Sequence, residues 1–207
     1  MSASRSAGGI TLRNIAVLGL IAVAWNVTDA VASATMVTGG LTSQPIGHYD
    51  FCKIHQDECD IHPTDLRPLH VSKNVWQEIV EVNDTVNRKV KPMSDMEHYG
   101  KDEVWAYPDD GFGDCEDYVL EKRRELMRDG ISLSDLLITV VKKKDGEGHA
   151  VLTVRTNRGD YILDNLTNEV KPWTSTPYRY LKRQAIDDTG RWVTIREGQT
   201  TLVGAVD

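Results

Sequence analysis

The octapeptide GFGDCEDY, Gly111 to Tyr118, sets one cysteine among three carboxylates, Asp114, Glu116 and Asp117. A cysteine attacks carbonyls, or binds metals, as the thiolate, and nearby negative charge opposes that form. Two effects work the other way. At the start of a helix, unpaired amides and the positive dipole end favour the thiolate. A hard cation held by the acids would also cancel the opposing charge. Further along stand His149, in GHAVLTV, and Asp164, in YILDN. Cysteine, histidine and a carboxylate are the types from which a nucleophile, its base and an orienting group are built. Each also has a plainer use. A cysteine near a helix start is commonly a small buried residue, a histidine beside glycines a turn residue, and Asp-Asn at a strand end turn chemistry.

The elements that must position these residues follow from periodicity. Val75, Ile79, Val82, Val86 and Val90 recur at three- and four-residue steps beside Trp76, which predicts an amphipathic helix from Asn74 ended by Pro92. Residues 92–113 read as a connection. A second helix is expected to begin with Asp114 as its N-cap and Asp117 completing a capping box, and to run to Arg128 before Gly130 stops it. Leu136 to Val141 is a continuous apolar run, the mark of a buried strand. His149 to Arg155 and Asp160 to Leu163 alternate around Asn157-Arg158-Gly159, which predicts a hairpin. With Asn157-Arg158 as a two-residue turn, His149 lies opposite Leu166, and Asp164 is one diagonal step away on the same face. Trp192 to Ile195 reads as a further strand. Helices followed by strands imply an α+β fold, with the helices packed on an antiparallel sheet.

The 207 residues suit one domain with a small appendage. A net charge of -7 lends no support to nucleic-acid binding. Arg5 and Arg13 precede an apolar run from Ile15 to Trp25, and Ala32-Ser33-Ala34 is a small-x-small cleavage pattern. That order reads as a signal peptide over residues 1–34, cleaved near Ala34, rather than an anchor, because the run is short of the ~20 residues a spanning helix needs. The expected product is a periplasmic or secreted domain over residues 35–207. Residues 35–71 are rich in Gly, Pro, His and Thr and read as an extended lead-in. Within it, Cys52 and Cys59 form a close pair, a disulfide in an oxidising compartment. Cys52, His55, Cys59 and His62 also have spacings that could wrap zinc, although export disfavours exposed thiols.

GDCEDY followed by a basic helix, then GHAVLTV, then YILDN resembles the bacterial transglutaminase-like cysteine proteinases, and within them the LapG-type periplasmic branch. By motif order the likeness spans roughly residues 45–197. It implies a papain/transglutaminase-like fold and a catalytic triad of Cys115, His149 and Asp164. It implies calcium (Ca2+) held beside the cysteine by Asp114, Glu116 and Asp117, although these acids would also serve simply as a helix cap. Loose analogy with transglutaminases makes the Trp105 indole N–H a candidate oxyanion donor, with a core aromatic as its plainer role. The LapG-type branch further implies a large surface adhesin as substrate and an inner-membrane receptor as regulatory partner. Two other functions use the same residues: acyl transfer to an amine, as in a transglutaminase or amidase, and a non-enzymatic calcium-dependent binding module.

Overall fold

A computed structural model describes Met1 and residues 35–196. The signal-peptide segment and its cleavage point lie outside the described residues. Two helices and a hairpin position the residues singled out above. Helix α3, Lys73–Lys89, starts where the Ser72 hydroxyl accepts the Val75 amide at 3.2 Å. Its stripe turns Ile79 and Val86 fully inward, and Val90 leaves it in extended conformation two residues before Pro92. Helix α5, Cys115–Arg128, has the expected N-cap Asp114 and the reciprocal box with Asp117. It ends before Gly130, which takes the left-handed φ of +93° that a helix stop favours.

The strands are β1 (Thr38–Thr42), β4 (Leu136–Lys142), β5 (Gly148–Thr156), β6 (Gly159–Asp164), β7 (Thr167–Pro172), β8 (Arg179–Gln184) and β9 (Trp192–Ile195). They form one sheet in the order β1-β9-β8-β4-β5-β6-β7, and every neighbouring pair is antiparallel. Two residues each from β2 (Lys91–Pro92) and β3 (Phe112–Gly113) make a small parallel ladder apart from it. The β5–β6 register runs from Leu152↔Leu163 to Thr156↔Gly159. This is the two-residue turn expected, but the ladder ends at Leu152↔Leu163, and Leu166 falls in the turn between β6 and β7, where Asp164 pairs with Thr167, so the expected pairing of His149 with Leu166 is not made.

Alternation along β5 explains the packing. Ala150, Leu152 and Val154 join Ile79, Val119, Leu120 and Leu126 of the helices in the main core. Val151 turns the other way, toward Met36, Val141, Ile162, Trp173, Tyr180 and Ile195. Both faces of the sheet are therefore covered, with the two long helices on one.

The lead-in differs from its extended reading. It holds β1, paired with β9, and α1 (Ile46–Ile54) and α2 (Gln56–Cys59). The buried face of α1 is Gly47, His48 and Phe51, a set that no apolar stripe announces. Gly47 is there because a Cβ would come within 2.3 Å of the Trp105 ring. Residues 92–113 contain α4 (Asp95–Tyr99), capped by a complete Ser94–Glu97 box. Cys52 and Cys59 form the disulfide, tying α1 to α2. The zinc alternative is not assembled: the thiols are spent, His55 stacks on Phe51 with 4.3 Å between centroids, and His62 bonds Asp60 at 3.2 Å. Among the described residues no helix is long and apolar enough to cross a membrane.

Candidate active site

Cys115 is the first residue of α5, half-buried and free. Its Sγ donates to Glu116 Oε2 at 3.0 Å and accepts the backbone amide of Ala150. Pairing between β5 and β6 stops at Leu152↔Leu163, so the start of β5 runs on beyond its partner and the sulfur meets it there. His149, the neighbour of Ala150, is buried at the same strand end.

His149 Nε2 lies 2.9 Å from Asp164 Oδ1, with 7% and 3% of the two residues exposed. The Leu166 amide donates to the same Oδ1 at 3.0 Å, and the Tyr178 hydroxyl donates to Oδ2. Burial pushes the Asp164 carboxyl up, but the bonds from His149, Tyr178 and Leu166 outweigh it and hold the group below the ordinary carboxylate range. The turn that carries Asp164 is itself held from α3. Asn87 Nδ2 donates to the Asp164 carbonyl at 2.9 Å, and Asn83 Nδ2 to the Thr167 and Asn168 carbonyls at 3.2 and 3.1 Å. With Nε2 engaged by Asp164, Nδ1 is the ring nitrogen left for a thiol proton.

The acids at the helix start form a second group. Ligand oxygens of Asp95, Asp114 and Asp117 lie within 4.8 Å of one another, as do ligand atoms of Asp114, Cys115 and Glu116. Asp117 accepts the Ala106 amide at 2.8 Å and the Asp114 amide at 3.3 Å, and Asp95 accepts the Val104 amide at 2.6 Å. Asp114 Oδ1 is buried with no hydrogen-bond partner among the described residues. Gly113 is required beside them, since a Cβ there would come within 2.7 Å of the Asp117 carboxylate. Burial, then the charge of Asp114, raises Glu116 to about 8, and burial raises Asp117 to about 7. Burial and the Glu116 carboxylate likewise push the Cys115 thiol well above its ordinary value, overriding the helix dipole. An all-oxygen set of crowded carboxylates with one orphaned oxygen fits a hard divalent cation.

Trp105 is 7% exposed and lies edge-on to His48 and Trp192, with ring centroids 5.3 and 6.5 Å away. Its Nε1 abuts Gly47 and has no hydrogen-bond partner among the described residues. Sequence reasoning missed Asp95, although Ser94-x-x-Glu97 was a legible helix start just in front of it. It also missed Asn83, Asn87, Lys122 and Tyr178. Lys122 is a buried lysine on α5 whose Nζ has no hydrogen-bond partner among the described residues, and which feels the charge of Asp164.

Residues 38–200 match the model of a family described as bacterial transglutaminase-like cysteine proteinase. Among solved structures, calcium-bound LapG of Legionella pneumophila has the same fold, with a TM-score of 0.51 and 24% identity over 67% of this chain and 78% of that one. A second structure of the same protein gives 0.50 and 22% identity over 73% and 81%. No curated protein matches the chain.

Proposed function

The chain belongs to the bacterial transglutaminase-like cysteine proteinases, and from that premise we propose that it cleaves peptide bonds with Cys115 as nucleophile, His149 as base and Asp164 as the orienting carboxylate. One observation carries the assignment. His149 and Asp164 pair at 2.9 Å at the strand end whose next amide, that of Ala150, is bonded to the Cys115 sulfur.

The steps follow from the atoms. His149 Nδ1 takes the thiol proton, and the thiolate adds to the scissile carbonyl carbon. Asp164 keeps the imidazole oriented and stabilises its charged form. The oxyanion is met by the Cys115 amide, which lies in the first turn of α5 and so has no partner in the helix ladder. Trp105 is the candidate second donor through its unpartnered indole N–H. The amine leaves with the proton from His149, and water activated by the same imidazole hydrolyses the thioester.

Asp95, Asp114 and Asp117, with Glu116 at their side, are the residues that would hold calcium. When bound, the ion would supply positive charge beside the thiol and fix the first turn of α5. The orphaned Asp114 oxygen and the calcium-bound state of LapG support this part. Export to the periplasm, a large surface adhesin as substrate and a regulatory inner-membrane receptor complete the proposal, and rest on the motif resemblance. In cells that display such an adhesin, Cys115→Ala is expected to lower release of its cleaved fragment by at least about 10³-fold. Immunoblots of medium and cell fractions measure this, and undiminished cleavage by the variant sinks the assignment.

A further inference from the structure

The two oxygens of Asp164 are held unequally. Oδ1 is bonded to both His149 Nε2 and the Leu166 amide, while Oδ2 is bonded to the Tyr178 hydroxyl. The carboxylate torsion is soft, because rotation about an sp³–sp² bond has no sharp minima. Two bonds to one oxygen leave the group free to pivot about that oxygen, and the third bond stops the pivot. Tyr178 stands one residue before β8, partly buried against the core that holds Ile162 and Tyr180. Its ring lies 5.5 Å from that of His149, tilted by 56°. One side chain thus touches both the carboxylate and the imidazole.

We propose that Tyr178 is a positioning residue for the proteolytic reaction, acting through Asp164 to hold the imidazole of His149 in line with Cys115. The inference rests on the triad reading above. The phenol is pushed up by burial and by Asp164, so the hydroxyl keeps its proton and donates throughout the working range. A donated bond also makes Asp164 less basic, which leaves the Nε2 proton on the imidazole. The other groups facing Asp164 are Lys122 from α5 and Tyr180 from β8.

Cys115 is the only cysteine outside the disulfide, so its alkylation by iodoacetamide, followed by intact mass, reads the activated thiol without any substrate. With calcium present, Tyr178→Phe is expected to label about tenfold more slowly than the unmodified protein, at an unchanged melting temperature. Asp164→Asn is expected to label more slowly still, and the double variant no more slowly than Asp164→Asn alone. Proton NMR supplies a second readout. The His149 ring proton held by Asp164 is expected as a resolved downfield signal that shifts or broadens in Tyr178→Phe. Fluorotyrosine at 178, a stronger donor of nearly the same shape, is expected to move that signal the opposite way in an otherwise intact fold. Tyr178→Phe labelling at the unmodified rate, or a double variant slowed by the full product of both factors, overturns this inference while slow labelling of His149→Ala keeps the triad. Equal labelling of His149→Ala and the unmodified protein overturns the triad reading and this inference together.

Discussion

The two halves of the site are built to different degrees of completion. On the strand side, both carboxylate oxygens and the carbonyl of Asp164 have partners, and hydrogen bonds hold the carboxyl below its ordinary range. On the helix side, Asp95, Asp114, Glu116 and Asp117 crowd together, all are raised, and one oxygen of Asp114 has no partner among the described residues. The chain finishes the base and its support by itself. It leaves the nucleophile among like charges that burial makes costly to ionise. The helix dipole alone does not offset that cost, as the raised thiol of Cys115 records.

The contrast is broken most directly from the strand side. Asp164→Asn should lower turnover by about 10²–10⁴-fold, since the imidazole loses its orienting partner and its preferred tautomer. Its stabilisation by calcium should persist, because the ion's proposed ligands lie elsewhere. Parallel rate and melting measurements check both parts. Loss of the calcium response in this variant would mean that the halves are one unit.

The helix side answers to metal. Calcium at about 100 times its dissociation constant should stabilise the protein by about 2.7 kcal/mol. Asp95→Asn and Asp117→Asn should each remove most of that gain, as read by thermal melts with calcium and with chelator. An unchanged gain in Asp95→Asn would strike that residue from the ligand set.

Lys122, on α5 and within the field of Asp164, gives the smallest effect. Burial lowers it from 10.5 to about 7. Below pH 7 it is charged in folded and unfolded chains alike, and the folded state carries the full cost of the buried ammonium. Between pH 7 and 10.5 the unfolded chain keeps a proton that the folded chain has released, so stability rises with pH across that window. Lys122→Met should therefore stabilise the protein at pH 7 by about 1–2 kcal/mol and flatten the rise. Denaturant melts at pH 7 and 9 measure both. A loss of stability at pH 7 would show that the ammonium is compensated.

What the sequence disclosed was local. The Val75–Val90 stripe, the Asp114 cap, the Gly130 stop and the Asn157-Arg158 turn are each specified by residues within a few positions of one another, and each stands as read. The turn also carried long-range content, because a two-residue loop fixes which residues of β5 and β6 face each other. The parts missed depend on distant partners. α1 is held by Gly47, His48 and Phe51 against Trp105 and Trp192, and β1 exists because β9 is there to pair with it. Asp95 reaches the acid group through a short helix within a stretch that read as plain connection, and Tyr178 meets Asp164 through a loop with no pattern of its own.

The pairing of Thr38 with Ile195 sets the start and the end of the sheet side by side on its outer edge. A load applied at these two points pulls the paired strands apart from their shared end, opening the hydrogen bonds of β1 and β9 one after another rather than all at once. In the sheet order, β8 and β4 stand between that edge pair and the strand that bears His149. Tension at the margins is therefore spent on unzipping the margin, while the residues proposed for catalysis remain in mechanical shelter.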